Sequence, residues 1–118
     1  MNLGPFSLSL AVKDIEASYN FYRSLGFEIY DDHLSEKWII LRNGDMLLGL
    51  FQGMFEDNIL TFHPADLSGV RSHLAAQGIG LRANSGEGDE PAKFLMLTDP
   101  DGNQILIDEV DPDYKPNA

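Results

Sequence analysis

The stretch from Asp14 to Phe27 reads DIEASYNFYRSLGF and has the pattern of an amphipathic helix with both of its ends. Asp14 offers a side-chain oxygen to the free amides of a first helical turn, and apolar residues then recur at helical spacing. Gly26 can adopt the left-handed conformation that ends many helices. The pattern therefore predicts a helix over Asp14–Leu25.

Strand patterns lie on both sides of this helix. Before it, Phe6–Val12 alternates apolar and small residues, as a strand with one packed face does. After it, three short strands are predicted, at Phe27–Asp31, Lys37–Arg42 and Met46–Gln52. Asn43–Asp45 contains Asn-Gly and predicts a tight hairpin between the last two. The first half of the chain is thus interpreted as a βαβββ module.

The same order of elements recurs 52 positions later, where Asp14 aligns with Asp66 and Gly26 with Gly78. A strand is predicted at Ile59–His63, and a helix runs between Asp66 and Gly78. The remaining strands of this second module are predicted at Ile79–Ala83, Lys93–Thr98 and Gln104–Asp108. The sequence therefore predicts an α+β fold, in which two tandem βαβββ modules form a curved mixed sheet with a concave ligand cup.

One domain is predicted over residues 1–118, with modules at about 5–52 and 58–109 and a polar tail at 110–118. The segment Asn84–Pro91 is acidic, rich in glycine and free of apolar residues, so it is interpreted as a loop. The tail contains two prolines and little to bury. We expect it to fray unless Tyr114 docks on the rest of the protein.

Acidic residues dominate the charge of the chain, because 8 Lys+Arg face 19 Asp+Glu and the formal net charge is −11 at pH 7. Such a chain repels phosphate backbones and anionic lipid, so nucleic acid and membranes are not expected partners and cationic small molecules are favoured. The absence of cysteine excludes disulfides, thiolate metal sites and cysteine nucleophiles. No apolar run could span a bilayer and no signal-peptide pattern is present, which predicts a cytoplasmic protein.

Sequence motifs of other chemistries are missing or incomplete. The chain has no P-loop, dinucleotide fingerprint, nucleophile elbow or His-Glu-x-x-His pattern. Gly86–Gly88 resembles a phosphate loop, but its acidic neighbours would repel phosphate. Asp99–Gly102 is interpreted as a hairpin turn rather than a calcium loop, since Val110 stands where a bidentate glutamate is needed.

The three histidines, His33, His63 and His73, lack the spacing of a metal motif. His33 and His73 have polar neighbours, and we expect them at the surface. His63 shares a predicted strand face with Thr61, so it lies either at the rim of the cup or inside it. Trp38 also faces the cup if its neighbours Ile39 and Leu41 face the helix; there it is either a platform for a planar ligand or a packing residue.

Two motifs that occur in order resemble the vicinal oxygen chelate superfamily. They are the helix Asp14–Phe27, with its Phe-Tyr…Leu-Gly-Phe end, and the turn Asp99–Ile105, which reads DPDGNQI. This superfamily includes glyoxalase I, extradiol dioxygenases, and fosfomycin and bleomycin resistance proteins. The resemblance covers nearly the whole chain. It implies the paired βαβββ fold and a homodimer whose sheets form a deep cup.

The resemblance also implies where a metal would be bound. Metal-dependent members carry a ligand, usually His, on the first strand of each module and another, usually Glu, on the last strand. The matching positions here are Ser7, Ile59, Leu48 or Gly49, and Leu106. None of these is a histidine or a carboxylate, so no metal and no other cofactor is expected.

Small, polar and apolar side chains occupy the inward strand positions instead, as in an ordinary small-molecule pocket. The residues predicted to bind a ligand are Ser7, Ser9, Trp38, Thr61, His63, Gln104, Leu106 and Asp108.

Three functions are consistent with this pattern. The first is a metal-free small-molecule-binding protein of the glyoxalase/bleomycin-resistance type, which sequesters a cationic or planar compound. The second is an enzyme of the same fold: a metal-free lyase or isomerase with His63 and Asp108 as acid and base, or a metalloenzyme, such as a dioxygenase-like enzyme with a non-standard site, whose ligands lie at other positions. The third is an interaction module whose cup is vestigial and filled by Trp38, Phe51 and Leu106.

Overall fold

A computed structural model describes residues 1–84, 93–109 and 113–117 of the chain. The chain folds into two units. The first unit comprises Ser7–Asn58 together with Tyr114–Ala118, and the second comprises Met1–Phe6 together with Ile59–Asp113. Most of the loop predicted at Asn84–Pro91 lies outside the described residues.

Helix α1 spans Ile15–Ser24 and has the ends that the sequence predicts. Asp14 is its N-cap, and the Asp14 carboxylate accepts a hydrogen bond from the Ala17 amide at 3.2 Å. The chain leaves the helix through Gly26, whose φ of +98° suits glycine. In the described part of the chain, no helix is long and apolar enough to cross a membrane.

The first unit contains a four-stranded mixed sheet with the order β2-β3-β4-β1. Its strands are β1 (Phe6–Val12), β2 (Glu28–His33), β3 (Trp38–Asn43) and β4 (Met46–Gln52). β1 pairs with β4 in parallel, whereas β2–β3 and β3–β4 are antiparallel. A 3-10 turn at Leu34–Glu36 joins β2 to β3. The buried core between α1 and the sheet consists of Ile15, Ile39, Leu41, Leu48 and Leu50.

The second unit repeats this arrangement with the strand order β5-β8-β7-β6. Its elements are β5 (Ile59–Phe62), α2 (Leu67–Ala76), β6 (Ala83–Asn84), β7 (Phe94–Thr98) and β8 (Gln104–Asp108). β5 pairs with β8 in parallel, as β1 does with β4. Its core consists of Leu67, Val70, Leu74, Leu95, Leu97 and Ile107. The α+β fold with a repeated βαβββ order, predicted from the sequence, is confirmed.

One predicted strand is wrong. The sequence predicts a strand at Ile79–Ala83, but the structure places β6 at Ala83–Asn84 only. Leu81 packs against the core of the second unit, whereas Ile79 is 45% exposed. Only the end of this stretch bonds to β7, where the Arg82 amide donates to the Met96 carbonyl and Ala83 pairs with Met96. The apolar alternation before it therefore reflects the packing of Leu81 on the core.

The N-terminus of α2 links a capping aspartate to a glycine in the first helical turn. Asp66 Oδ1 accepts a hydrogen bond from the Gly69 amide at 3.0 Å. A Cβ atom at position 69 would overlap Asp66 Oδ2. Glycine, although it weakens a helix, therefore leaves room for the cap.

This linkage predicts non-additive effects on the free energy of unfolding. Asp66→Ala should destabilise the protein by about 1 kcal/mol through loss of the cap. Gly69→Ala should bring no gain alone, yet it should stabilise the Asp66→Ala protein by about 0.5 to 1 kcal/mol, because the overlap is then removed. Urea unfolding of the four proteins measures this. Equal gains from Gly69→Ala in both backgrounds would show that the cap and the glycine are independent.

Candidate functional site

The candidate site lies on the sheet face of the first unit that is opposite the core. Side chains alternate along each strand, so the neighbours of the core residues project to this other face. The register places Trp38 opposite Phe51 and Ile40 opposite Gly49. We call this surface the open face of the first unit; it carries Ser7, Ser9, Trp38, Ile40, Gly49 and Phe51.

Three rings stand side by side across β2, β3 and β4 on the open face. The His33 ring stacks on Trp38 with centroids 4.0 Å apart and planes at 10°. Trp38 and Phe51 are also nearly parallel, at 8°, with centroids 5.9 Å apart. Phe55 adds a tilted ring 5.3 Å from Phe51. In this aromatic ladder, His33, Trp38, Phe51 and Phe55, the stacked rings cover one another's faces, so a planar group can stack only on an outer face at an end of the row and meets ring edges along it.

Gly49 makes space for one ring of the ladder. A Cβ atom at this buried position would lie only 2.5 Å from Cε2 of Phe51. Any side chain at position 49 would therefore displace the Phe51 ring. Glycine is thus needed at position 49 because the Phe51 ring occupies the space that a Cβ atom would take, and not because the backbone turns there.

A β-bulge in β2 brings Asp31 and His33 to the open face. The register pairs Ile29 with Leu41, but then Asp31 with Ile40 and His33 with Trp38. Tyr30 is the extra residue. Uninterrupted alternation from Ile29 would instead have turned both Asp31 and His33 toward the core.

Asp31 is almost completely buried, with 1% of its surface exposed, and its carboxylate is held on several sides. Oδ1 accepts a hydrogen bond from the Asn117 amide at 3.0 Å and lies 2.9 Å from His33 Nε2. Oδ2 accepts a hydrogen bond from the Tyr114 hydroxyl. The aspartate is thus the point where β2, the ladder and the C-terminal tail meet.

The hydrogen-bond partners of Asp31 determine the protonation states of Asp31 and Tyr114. Burial by itself raises the pKa of Asp31, but the hydrogen bonds from Tyr114 and Asn117 and the charge of His33 outweigh it, so the pKa lies below its ordinary value. Burial, together with the Asp31 carboxylate, raises the pKa of the Tyr114 hydroxyl. Tyr114 therefore stays a hydrogen-bond donor, and Asp31 stays an anion.

None of the four residues of this arrangement was predicted as a site residue: Asp31, His33, Tyr114 and Asn117. The expectation that His33 lies exposed at the surface is wrong, since its side chain is 29% exposed and stacks on Trp38. Tyr114 does dock, on a residue 83 positions earlier in the chain. The signal in the sequence was a single tyrosine in an otherwise polar tail, which indicates docking without indicating where.

The second unit also has a sheet face opposite its core. The register places Ile59 opposite Gln104, Thr61 opposite Leu106, Met96 opposite Leu106 and Phe94 opposite Asp108. The predicted ligand residues Thr61, Gln104, Leu106 and Asp108 therefore share one face. Within the described residues, Oε1 of Gln104 is buried and has no hydrogen-bond partner. This face thus combines apolar side chains with polar groups.

Asp108 and His63 act on each other electrostatically. Burial raises the pKa of the Asp108 carboxyl above its ordinary value, and the charge of His63 partly offsets this effect. The two residues that the sequence proposes as an acid and base therefore lie close enough to influence each other. A carboxyl group with a raised pKa beside an imidazole can take part in proton transfer.

A cleft of about 610 Å³ opens elsewhere in the second unit, between the N-terminal segment and α2. Of the predicted ligand residues, it includes only His63. His73, expected at the surface, is exposed and also borders the cleft. The eight predicted ligand residues thus divide between the units, with Ser7, Ser9 and Trp38 in the first and the other five in the second. Their role in binding stays a prediction.

The positions that would hold a metal in this fold do not carry the donors for it. Leu48 is buried in the core, so of the two alternatives Leu48 and Gly49 it is Gly49 that lies on the open face. Ser7 and Gly49 provide at most one hydroxyl, and Ile59 and Leu106 provide no donor atom. Within residues 1–84, 93–109 and 113–117, no three His, Cys, Asp or Glu side chains are grouped so as to hold a metal ion. The donor chemistry at these positions does not fit the metal site that the resemblance implies.

Comparison with known proteins defines the class of the fold. No family model matches the chain, and no curated protein matches it. Solved structures do match. The chain has the fold of the glyoxalase/bleomycin resistance protein/dioxygenase superfamily, as the sequence motifs imply.

The particular relatives are distant. A glyoxalase/bleomycin resistance protein/dioxygenase superfamily member from Vibrio splendidus 12B01 is 20% identical, with a TM-score of 0.68 over 89% of this chain and 97% of that chain. An NAD-dependent benzaldehyde dehydrogenase from Legionella pneumophila is 16% identical, with a TM-score of 0.72 over 91% and 100%. A methylmalonyl-CoA epimerase from Mycobacterium tuberculosis is 14% identical, with a TM-score of 0.63 over 92% and 87%. At these identities the likeness concerns the fold.

The lowered pKa of Asp31 predicts a pH-dependent contribution to stability. A carboxyl whose pKa is lower in the folded than in the unfolded chain stabilises the fold above its unfolded pKa, and this contribution is lost as pH falls through the folded pKa. Asp31→Asn should therefore cost about 2 kcal/mol or more at pH 7, because charge-assisted hydrogen bonds are lost. The difference from the unmodified protein should shrink as pH falls below about 4.

Denaturant unfolding between neutral and acid pH measures this difference. Asp45→Asn is a matched control, since Asp45 is exposed in the turn between β3 and β4. We expect it to change the free energy of unfolding by less than about 0.5 kcal/mol. A pH-independent cost for Asp31→Asn would mean that the charge of Asp31 does not stabilise the fold.

Proposed function

We propose that this protein binds a planar, cationic small molecule on the aromatic ladder of its first unit, without a metal ion. The observation that carries this proposal is the parallel alignment of His33, Trp38 and Phe51 on one sheet face, next to carboxylates. The outer face of the ring at an end of the row provides a stacking surface, and an aromatic face also attracts cations.

The charges around the ladder support a cationic ligand. The carboxylates of Asp31 and Glu36 lie against His33, at one end of the ladder. Arg42 is a positive charge on β3, and its guanidinium lies over the Tyr30 ring, 5.6 Å from the centroid. The net charge of −11 also attracts cations at long range. The aromatic rings and the negative charge of the protein therefore together favour a ligand that is flat and positively charged.

Three probes separate shape from charge. N-methylquinolinium is planar and cationic, quinoline is planar and neutral at pH 7.5, and tetraethylammonium is cationic without a flat surface. We expect N-methylquinolinium to quench Trp38 fluorescence and to bind at least about tenfold more tightly than the other two, because only it uses both stacking and charge. Raising NaCl from about 50 to about 500 mM should weaken its binding.

Variants locate the binding surface. Phe51→Leu should weaken N-methylquinolinium binding about 5- to 10-fold, as the loss of roughly 1 kcal/mol of stacking implies. The same substitution at Phe21, which is 60% exposed on α1, should leave binding unchanged. Calorimetry measures both. Equal affinity in Phe51→Leu and the unmodified protein, or no binding of any probe, would exclude the ladder as the site.

A second candidate function is proton transfer in the second unit, and the proximity of His63 to Asp108 favours it. Burial raises the pKa of the Asp108 carboxyl, and an imidazole can act as an acid or a base. Such a pair suits a lyase or isomerase that moves a proton next to a carbonyl group. One protein of this fold is named a methylmalonyl-CoA epimerase, so a methylmalonyl thioester is a reasonable first probe.

This candidate predicts exchange of the proton next to the thioester carbonyl in D2O, observed by proton NMR. Asp108→Asn and His63→Asn should each slow the exchange on the order of 100-fold, since each removes a proton-transfer group. Glu109→Gln changes a neighbouring exposed residue and is the matched control. With this variant the thioester proton should exchange at the rate seen with the unmodified protein. No exchange above the buffer rate in the unmodified protein would exclude this activity for the probe class.

The homodimer implied by the resemblance and the other expected partners remain proposals. Because self-association changes apparent affinity, each binding measurement above uses the whole 118-residue chain at a protein concentration at which its oligomeric state has been measured.

A further inference from the structure

The C-terminal tail forms a network of hydrogen bonds with β2 of the first unit. Asn117 donates its backbone amide to Asp31 Oδ1 at 3.0 Å and its side-chain Nδ2 to the Asp32 carbonyl at 2.9 Å. The Asp32 amide donates to the Asn117 carbonyl. Tyr114 donates its hydroxyl to Asp31 Oδ2. The tail thus contacts both the backbone of β2 and the buried carboxylate.

The buried carboxylate in turn orients the first ring of the aromatic ladder. Asp31 Oδ1 lies 2.9 Å from His33 Nε2, and Glu36 Oε2 lies 3.7 Å from His33 Nδ1. Contacts to both ring nitrogens restrict rotation of the imidazole. In this orientation the imidazole is nearly parallel to Trp38, at 10°. The plane of His33 is therefore set by its carboxylate partners.

Asp31 can hold His33 only while it is itself held. Its side chain is 2% exposed, so water does not replace a lost partner easily, and a buried acceptor without its donors is unfavourable. Tyr114 and Asn117 supply donors to both carboxylate oxygens. Without them the carboxylate could turn, and its hydrogen bond to His33 would no longer be fixed.

We propose that Tyr114 and Asn117 are positioning residues for the ladder, because they fix Asp31 and, through it, the plane of His33 against Trp38. The expected effect of these residues on ligand affinity rests on the proposed binding function. Their effect on the orientation of the His33 ring does not, because it concerns the protein without a ligand. The tail contributes to the site without touching the ligand.

Trp38 is the only tryptophan, so circular dichroism at the long-wavelength edge of the near-UV, where tyrosine and phenylalanine do not absorb, reports the surroundings of Trp38 without the signal of the tyrosine that Tyr114→Phe removes. His33→Ala gives the reference signal for a lost stack. Tyr114→Phe removes only a hydroxyl, and we expect it to shift the Trp38 signal at least halfway to that reference while the protein stays folded. Tyr114→Phe added to His33→Ala should cause no further change, since both act on the same ring.

Two further variants complete the test. Asn117→Ala removes the bond to the Asp32 carbonyl and should change the Trp38 signal in the same direction, which keeps the test valid if Tyr114→Phe folds poorly. Tyr19→Phe is the matched control, because Tyr19 lies on α1 and its hydroxyl contacts Arg23 at 3.5 Å. It should leave the Trp38 signal unchanged.

The outcomes separate this inference from the proposed function. If Tyr114→Phe and Asn117→Ala both keep the unmodified Trp38 signal, or if the Tyr114→Phe change simply adds to that of His33→Ala, the positioning role is excluded. If the signal changes as expected and N-methylquinolinium affinity falls in step, both proposals are supported. If the signal changes but the unmodified protein binds no probe, the positioning role stands and the proposed function fails.

Discussion

A buried carboxylate is the group on which the open face of the first unit depends. Asp31 cannot remain charged at 1% exposure unless donors surround it. Three donor residues do so, His33 on the same strand and Tyr114 and Asn117 in the tail. The same contacts that satisfy the carboxylate orient the imidazole on Trp38. The contacts that stabilise the buried Asp31 carboxylate therefore also determine the geometry of the aromatic ladder.

Local chemistry explains why much of the fold could be predicted from the sequence. The caps Asp14 and Asp66 act within one helical turn, and the alternation in β4 and β8 is read over a few residues, so these elements lie where the pattern predicts. The strand predicted at Ile79–Ala83 is wrong because alternation records burial, and Leu81 reaches the core without pairing to another strand.

The candidate site was predicted only in part, for a different physical reason. Trp38, Ser7 and Ser9 face the open side as alternation predicts, but the bulge at Tyr30 reverses the alternation in β2 and moves Asp31 and His33 to that side. No local pattern marks a bulge of this kind. The docking of Tyr114 depends on a contact across 83 residues, which the sequence does not reveal. Both omissions concern the residues that shape the ladder.

The two units share a fold and differ in the chemistry of their open faces. The first presents stacked rings with carboxylates beside them, which suits binding, and the second places a carboxyl of raised pKa near an imidazole, which suits proton transfer. NMR chemical-shift mapping with N-methylquinolinium is the direct test of binding at the aromatic ladder. We expect the largest shifts at the Trp38 indole Nε1–H and the His33 ring. Shifts confined to the Met96 methyl and Leu106 of the second unit, or the absence of any shift, would contradict this expectation.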